Sequence, residues 1–252
     1  MNWRSSAQVV IAIAILLAGL RVFLIYRSRN ETTAVTSNQP LLRREMQADD
    51  YVVPSRSHAY DQESAKELKG KQVWAKNVKD WPYYRYHGQR ADLAKPAGSL
   101  APLDHFQIED VVSQTDPRAN RQTGGAGPHV IAKQLLAVLK PSGVGAKVAT
   151  SIGTFNQDGY TIEVNELFYF EDPHQLYKHW PAETWAAIDK HQLLVGMSAL
   201  QAGFAVGAVD EVLSGDDKNS TVLFSSQGKP AEVTFVDGRI AKIVPTAEPK
   251  QK

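Results

Sequence analysis

The longest apolar stretch of the chain lies near its N-terminus. Residues 7–26, AQVVIAIAILLAGLRVFLIY, are apolar or small except for Gln8 and Arg21. About 20 such residues are needed to span the hydrocarbon core of a bilayer. A cleaved signal peptide is the rival interpretation, but no small-x-small cleavage site follows the run. The pattern therefore favours a retained transmembrane helix over residues 7–26, preceded by a short tail at 1–6.

The pattern changes twice after this run. Residues 27–50 are polar and lack apolar periodicity, which indicates a flexible tether. Residues 51–171 contain short alternating runs separated by Gly, Pro, Asn and Asp, the pattern of a mainly β domain built as an antiparallel meander or small barrel. Asp61 is expected to cap a short helix at the start of this domain. Strands are predicted at 71–77, 105–112, 130–140, 147–155 and 160–170.

Helix signals dominate the next segment. Asp172 followed by Pro173 is a capping residue before the helical position that tolerates proline. Pro181 then restarts a second helix, in which Trp185 belongs to the inward stripe. Ser198 lies in GMSAL, which resembles the Gly-x-Ser-x-Gly nucleophile elbow but has Leu where the second glycine is required. With Gln201 three residues later, Ser198 fits a capping box instead.

Two strand signals follow these helices. STVLFS and AEVTFVDGRIAKIV both carry β-forming residues. Asp237-Gly238 between alternating apolar residues is the strongest short-range signal of a hairpin with a type I′ turn. We therefore expect residues 172–246 to form a helix-helix-antiparallel-strand domain, followed by a disordered tail at 247–252. The predicted fold class is α+β, with an N-terminal transmembrane helix, a small antiparallel β meander or barrel, and this C-terminal layer.

Composition and charge narrow the function classes. A net charge of +1, with 22% charged residues, leaves no basic footprint for nucleic acid, so no nucleic-acid partner is expected. The absence of cysteine excludes disulfides, thiolate metal sites and a cysteine nucleophile. The aromatic run Trp81–Tyr86 is either a binding platform or a core strand, and strand enrichment in aromatic residues favours the core.

Three histidines are the candidate chemistry. His174 and His179 are five residues apart, about 140° around a helix, whereas a chelating pair needs a spacing of three or four. His191 lies beyond the second predicted helix. We therefore predict no catalytic, metal or cofactor site. The alternative is a hydrolase or metal-dependent enzyme that uses the His174/His179/His191 region with Asp172 or Glu171.

The C-terminal segment resembles the SmpA/OmlA (BamE-like) family of bacterial envelope domains. The resemblance rests on GMSALQAGFAVGA and AEVTFVDGRIAKI, within residues 195–244. It implies a helix that begins at Gly-Met-Ser and ends at a glycine, followed by antiparallel strands that include a hairpin. The body as a whole also resembles a group of membrane-anchored acidobacterial proteins. The chain lacks the lipidated cysteine that anchors the familiar envelope lipoproteins of the family.

These patterns together predict a membrane-tethered, non-enzymatic binding or scaffold module of the bacterial envelope. Its expected contacts are the lipid bilayer, through residues 7–26, and a protein partner. The expected location is the inner membrane, with a single span. The arginines around the span slightly favour a cytoplasmic body, whereas the family resemblance implies the extracytoplasmic side and tips the expectation that way.

Overall fold

Most of the regular structure is β-strand, arranged in two antiparallel sheets. The computed structural model describes Arg21 and residues 48–116, 133–143, 145–156, 159–216, 218–225 and 230–246. The predicted transmembrane helix (except Arg21), both predicted tails and the tether up to residue 47 lie outside the described residues.

The larger sheet has eight strands in the order β3-β2-β6-β5-β4-β1-β8, with β7 paired to β6. Two short helices, α1 (Gln62–Lys66) and α2 (Val164–Leu167), accompany it. Its strands are β1 (Gln72–Ala75), β2 (Pro82–His87), β3 (Arg90–Ser99), β4 (His105–Thr115), β5 (Lys133–Pro141), β6 (Val148–Asn156), β7 (Gly159–Ile162) and β8 (Phe168–Tyr169).

The smaller sheet is a four-stranded meander in the order β12-β11-β10-β9. Three helices precede it along the chain: α3 (Pro173–Leu176), α4 (Ala182–Ile188) and α5 (Ala199–Val206). Its strands are β9 (Glu211–Gly215), β10 (Ser220–Phe224), β11 (Ala231–Val236) and β12 (Arg239–Pro245).

The predicted fold class is wrong, because strands rather than helices make up most of the regular structure of the described chain. No helix among the described residues combines the length and the apolar character needed to cross a membrane. The expected C-terminal helical layer consists of helices of only four, seven and eight residues. Pro173 and Pro181 restart the chain there, and Gly196 and Gly207 have positive φ, so no helix can extend further.

The core of the larger sheet is centred on β5. Leu135, Leu136 and Ala137 are all fully or nearly fully buried, so this strand is covered on both faces. The strand predicted at 160–170 is wrong in its middle. Val164 and Leu167 are three residues apart and both point into the core, a spacing that fits the helical turn α2 rather than a strand.

The core of the smaller sheet lies between its strands and the helices α3 to α5. Trp180, Trp185 and Phe204 pack on the sheet face that presents Val233 and Phe235. The inward stripe predicted for the second helix is therefore confirmed: Trp185 is 9% exposed and belongs to this cluster. The helices thus cover one face of the small sheet.

Local signals predicted the ends of several elements correctly. Asp61 caps α1 and Asp172 caps α3 through side-chain hydrogen bonds to backbone N–H groups, as expected. The predicted hairpin turn is confirmed, with φ of 51° at Asp237 and 74° at Gly238, as a type I′ turn requires. These caps and this turn depend on residues only a few positions apart, so they can be predicted from the sequence alone.

The helices and the larger sheet meet at a close contact. A Cβ added to Gly203 of α5 would lie 2.4 Å from the side-chain nitrogen of Asn77, just after β1. Glycine therefore allows this close approach. The described residues from Ala48 onward belong to one compact unit, although β8 ends at Tyr169 and α3 begins at Pro173, near the predicted domain boundary.

Candidate functional site

His174 is held between two carboxylates. Its Nδ1 lies 3.1 Å from Asp172 Oδ1 and its Nε2 lies 3.4 Å from Asp189 Oδ1. The ring stacks on Trp185 with a centroid separation of 4.1 Å. Each ring nitrogen thus faces one carboxylate. Because Asp172 caps α3 and Asp189 follows α4, the imidazole links the start of α3 to the end of α4.

His179 and His191 have different partners. His179 Nε2 lies 2.6 Å from Asp49 Oδ1, in a 3-10 turn at Ala48–Tyr51 within the range predicted as tether. His191 Nδ1 lies 3.0 Å from the carbonyl oxygen of Ala205. The three histidines therefore do not converge on one position, and no group of three His, Cys, Asp or Glu side chains in the described ranges is arranged to hold a metal ion.

Ser198 is confirmed as a helix cap. Its Oγ accepts a hydrogen bond from the Gln201 N–H over 3.2 Å, and the Ser198 N–H donates to Gln201 Oε1 over 2.9 Å. This reciprocal pair is the capping box predicted from the spacing. The hydroxyl therefore satisfies the backbone at the start of α5.

The aromatic run Trp81–Tyr86 contributes to the core. Tyr84 is 3% exposed, and Tyr83 packs against the main core cluster of the larger sheet. The indole N–H of Trp81 donates to the carbonyl oxygen of Ser151 over 3.0 Å. These contacts favour the interpretation of the run as a core strand.

A cleft with a volume of about 630 Å³ lies between the start of β1 and α3. Its size is in the range of small-molecule sites. Several of its polar groups already have partners: Ser55 Oγ donates to Glu171 Oε1 over 2.8 Å, and Lys71 Nζ lies 5.7 Å from the ring centroid of Phe170. The cleft is lined by Lys71, Gln72, Trp74, Phe170, Glu171, Asp172, Gln175 and Leu176.

An open strand edge is the most distinctive surface of the smaller sheet. β9 is one of the two edge strands of that sheet, and all five of its residues are exposed. Val212 is 63% exposed and Leu213 46%. The pairing with β10 shifts register between Thr221 and Val222, which leaves Leu213 as the extra residue of a bulge. No other described strand pairs with the outer side of β9, so two neighbouring apolar side chains lie at an edge that is free among the described residues.

Three other strands at sheet edges, β3, β8 and β12, carry features that block pairing. β3 has Lys95 and Pro96 exposed along its length, and β8 is only two residues long. β12 is partly covered, because the Gly196 N–H donates to the Ile240 carbonyl and the Ile240 N–H donates to the Met197 carbonyl. Lysine, proline, short length and coverage all protect edges from unwanted partners. β9 contains neither lysine nor proline, and the bulge at Leu213 is its one protective feature.

The ends of β9 are acidic. Asp210 precedes the strand and pairs with Lys79 over 3.6 Å, while Glu211 is its exposed first residue. Asp216 follows the strand, and the backbone N–H groups of Asn219 and Lys218 donate to its carboxylate. These hydrogen bonds lower the pKa of Asp216 below its ordinary value. The edge therefore combines an apolar centre with negatively charged ends.

No protein-family model, no curated protein and no solved structure matches this chain. The resemblance to the SmpA/OmlA family stays a prediction. Sequence reasoning missed the β9 edge altogether. The only signal was the apolar pair Val212-Leu213 close to Gly215, and such a pair lacks the alternation that marks a strand, because a bulge interrupts the alternation here.

Proposed function

We propose that the chain is a non-enzymatic protein-binding module, in which the free edge of β9 pairs with an extended segment of a partner protein. The observation that carries the proposal is that all five residues of β9 are exposed at a sheet edge that contains neither lysine nor proline. Strand addition at such an edge is a recurrent mode of peptide recognition, in which backbone hydrogen bonds supply affinity and side-chain contacts supply specificity.

The side chains of β9 support this mode. Val212 lies directly opposite Val222. It therefore points to the same sheet face as Val222, which the helices cover at β10. An apolar residue of a docked strand beside Val212 would extend this core by one strand. Burial of apolar area contributes about 25 cal/mol per Å². The docked segment would therefore gain from both backbone pairing and apolar contact.

The test uses peptides selected from a displayed random library against the purified full-length chain. Binding of the selected peptides is then measured to the double variant Val212→Lys/Leu213→Lys. Lysine on a strand edge disfavours pairing, and exposed positions tolerate such changes within about 0.5 kcal/mol of stability. The matched control is Val236→Lys, which changes a valine of the same sheet that is 49% exposed.

We expect the selected peptides to bind the natural chain and the Val236→Lys variant equally, and to lose binding to the double variant. Peptides that bind the double variant as tightly as the natural chain would contradict the proposal. So would selection that yields no binder at all.

A further inference from the structure

We infer that the segment docking on β9 has an apolar centre flanked on both sides by basic residues. This inference rests on the proposed function, because it specifies the partner of the same edge. Three carboxylates stand at the two ends of the strand: Asp210 and Glu211 at one end and Asp216 at the other. Opposite charges across neighbouring strands stabilise pairing, and like charges destabilise it.

The three carboxylates are not equivalent. Asp210 is already engaged, since it pairs with Lys79 and accepts a hydrogen bond from the Ser225 hydroxyl over 2.5 Å. Glu211 is exposed and lies opposite Leu223 in the pair with β10. Asp216 stays ionised to lower pH than an ordinary aspartate, because backbone N–H groups hold its charged form. Glu211 and Asp216 are therefore the two groups that a docked segment would meet.

Pairing of β9 with β9 of a second copy is disfavoured by the same charges. In an antiparallel pair centred on Leu213, each Glu211 would face Gly215 and each Asp210 would face Asp216 of the other copy. Like charges would then lie opposite each other at both ends. The charge pattern thus selects a basic partner rather than a second copy.

The spacing of the partner's charges follows from the strand. Glu211 and Asp216 are five positions apart, at most roughly 17 Å at the rise of an extended strand, a distance that the bulge at Leu213 and the positive φ of Gly215 shorten. An antiparallel partner would therefore carry basic residues about five positions apart, with apolar residues between them that contact Val212 and Leu213. Synthetic peptides can reproduce this pattern of two basic residues with apolar residues between them.

The test compares two short synthetic peptides on the full-length chain. Both have alternating valine and threonine in the centre; one has arginine at its first and sixth positions, and the other has glutamate there. Binding and its location are followed by NMR chemical-shift changes of the amides of residues 211–215. We expect the arginine peptide to bind about tenfold more tightly, from two cross-strand charge pairs, and we expect the difference to shrink as salt is added.

A charge-reversed variant provides the matched comparison. Glu211→Lys should narrow or invert the preference for the arginine peptide, whereas Glu67→Lys, the same change at an exposed residue next to α1, should leave it unchanged. Equal binding of both peptides at β9 would overturn the inference and leave the proposed function standing. Shifts confined to residues outside β9, or no binding of either peptide, would overturn both.

Discussion

Val212 lies directly opposite Val222 in the β9–β10 pair, yet Val222 is 4% exposed and Val212 is 63% exposed. The two side chains point to the same face of the sheet, so the difference arises because the helices cover β10 and stop short of β9. The apolar face of the small sheet thus ends in an uncovered valine. This uncovered edge is the basis of the proposed function and of the predictions that concern it.

The cap at Ser198 makes a measurable contribution to stability. Ser198→Ala removes the acceptor of the Gln201 N–H and leaves this donor without its partner at the start of α5. We expect a loss of about 1 kcal/mol in the free energy of unfolding, measured by denaturant titration. Ser214→Ala, at an exposed serine of β9, is the control and should change stability little. Loss of a hydrolytic activity in Ser198→Ala at unchanged stability would contradict the assignment of Ser198 as a cap.

Trp185 is expected to be a major contributor to the core of the smaller sheet. The ring is 9% exposed and lies against His174 and Trp180, with centroid separations of 4.1 and 5.1 Å. Trp185→Ala should lower the free energy of unfolding by about 3 to 5 kcal/mol, because a large cavity replaces the ring. Trp185→Phe should cost distinctly less. A change below about 1 kcal/mol for the alanine variant would show that the ring does not pack as described.

The hairpin turn between β11 and β12 depends on Gly238. Its φ is 74°, in the left-handed region, although no heavy atom would lie within 4 Å of an added Cβ. Gly238→Ala should therefore destabilise through the backbone alone, by about 1 to 2 kcal/mol. Gly238→Asn should cost less, since asparagine tolerates this conformation better. Equal melting temperatures for the alanine variant and the natural chain would argue against the turn geometry.

Asp104 should give the stability a specific pH dependence. Burial raises the pKa of Asp104 above its ordinary value of 3.8, partly opposed by the Ala101 N–H and by nearby His191. Between the ordinary and the raised pKa the folded state binds more protons than the unfolded state, so this group's contribution to stability falls as pH rises. The Asn side chain of Asp104→Asn can still accept from the Ala101 N–H but does not titrate.

The measurement is the free energy of unfolding of both proteins across a pH series that starts below the ordinary pKa. Relative to Asp104→Asn, the natural chain should lose stability as pH rises through the window between the ordinary and the raised pKa. A difference that stays constant, or that grows in favour of the natural chain with rising pH, would mean that burial does not control this carboxyl.

The sequence predicted features that depend on neighbouring residues and missed those that depend on distant ones. The Ser198 cap and the Asp237-Gly238 turn follow from residues within three positions of one another. By contrast, Trp74 stacks on His105 at 4.3 Å only because β1 pairs with β4. No local pattern specifies that pairing, and the strand order of the larger sheet was therefore not predicted.

The candidate site was missed for a similar reason. His174, His179 and His191 are candidates by residue type alone, but their partners come from different parts of the chain, such as Asp49 for His179. β9 was not recognised because a bulge breaks its alternation, and its exposure depends on where the helices end over the sheet. Side-chain type alone could not reveal a free edge.

The most direct test of the proposed function is hydrogen exchange at the backbone amides of β9. The full-length chain is measured with and without a saturating amount of a library-selected peptide. We expect slower exchange at amides within Glu211–Gly215, because those that face the free edge become hydrogen-bonded to the peptide, and no change along β12 (Arg239–Pro245). Unchanged exchange along β9 with a bound peptide, or protection confined to the cleft between β1 and α3, would contradict it.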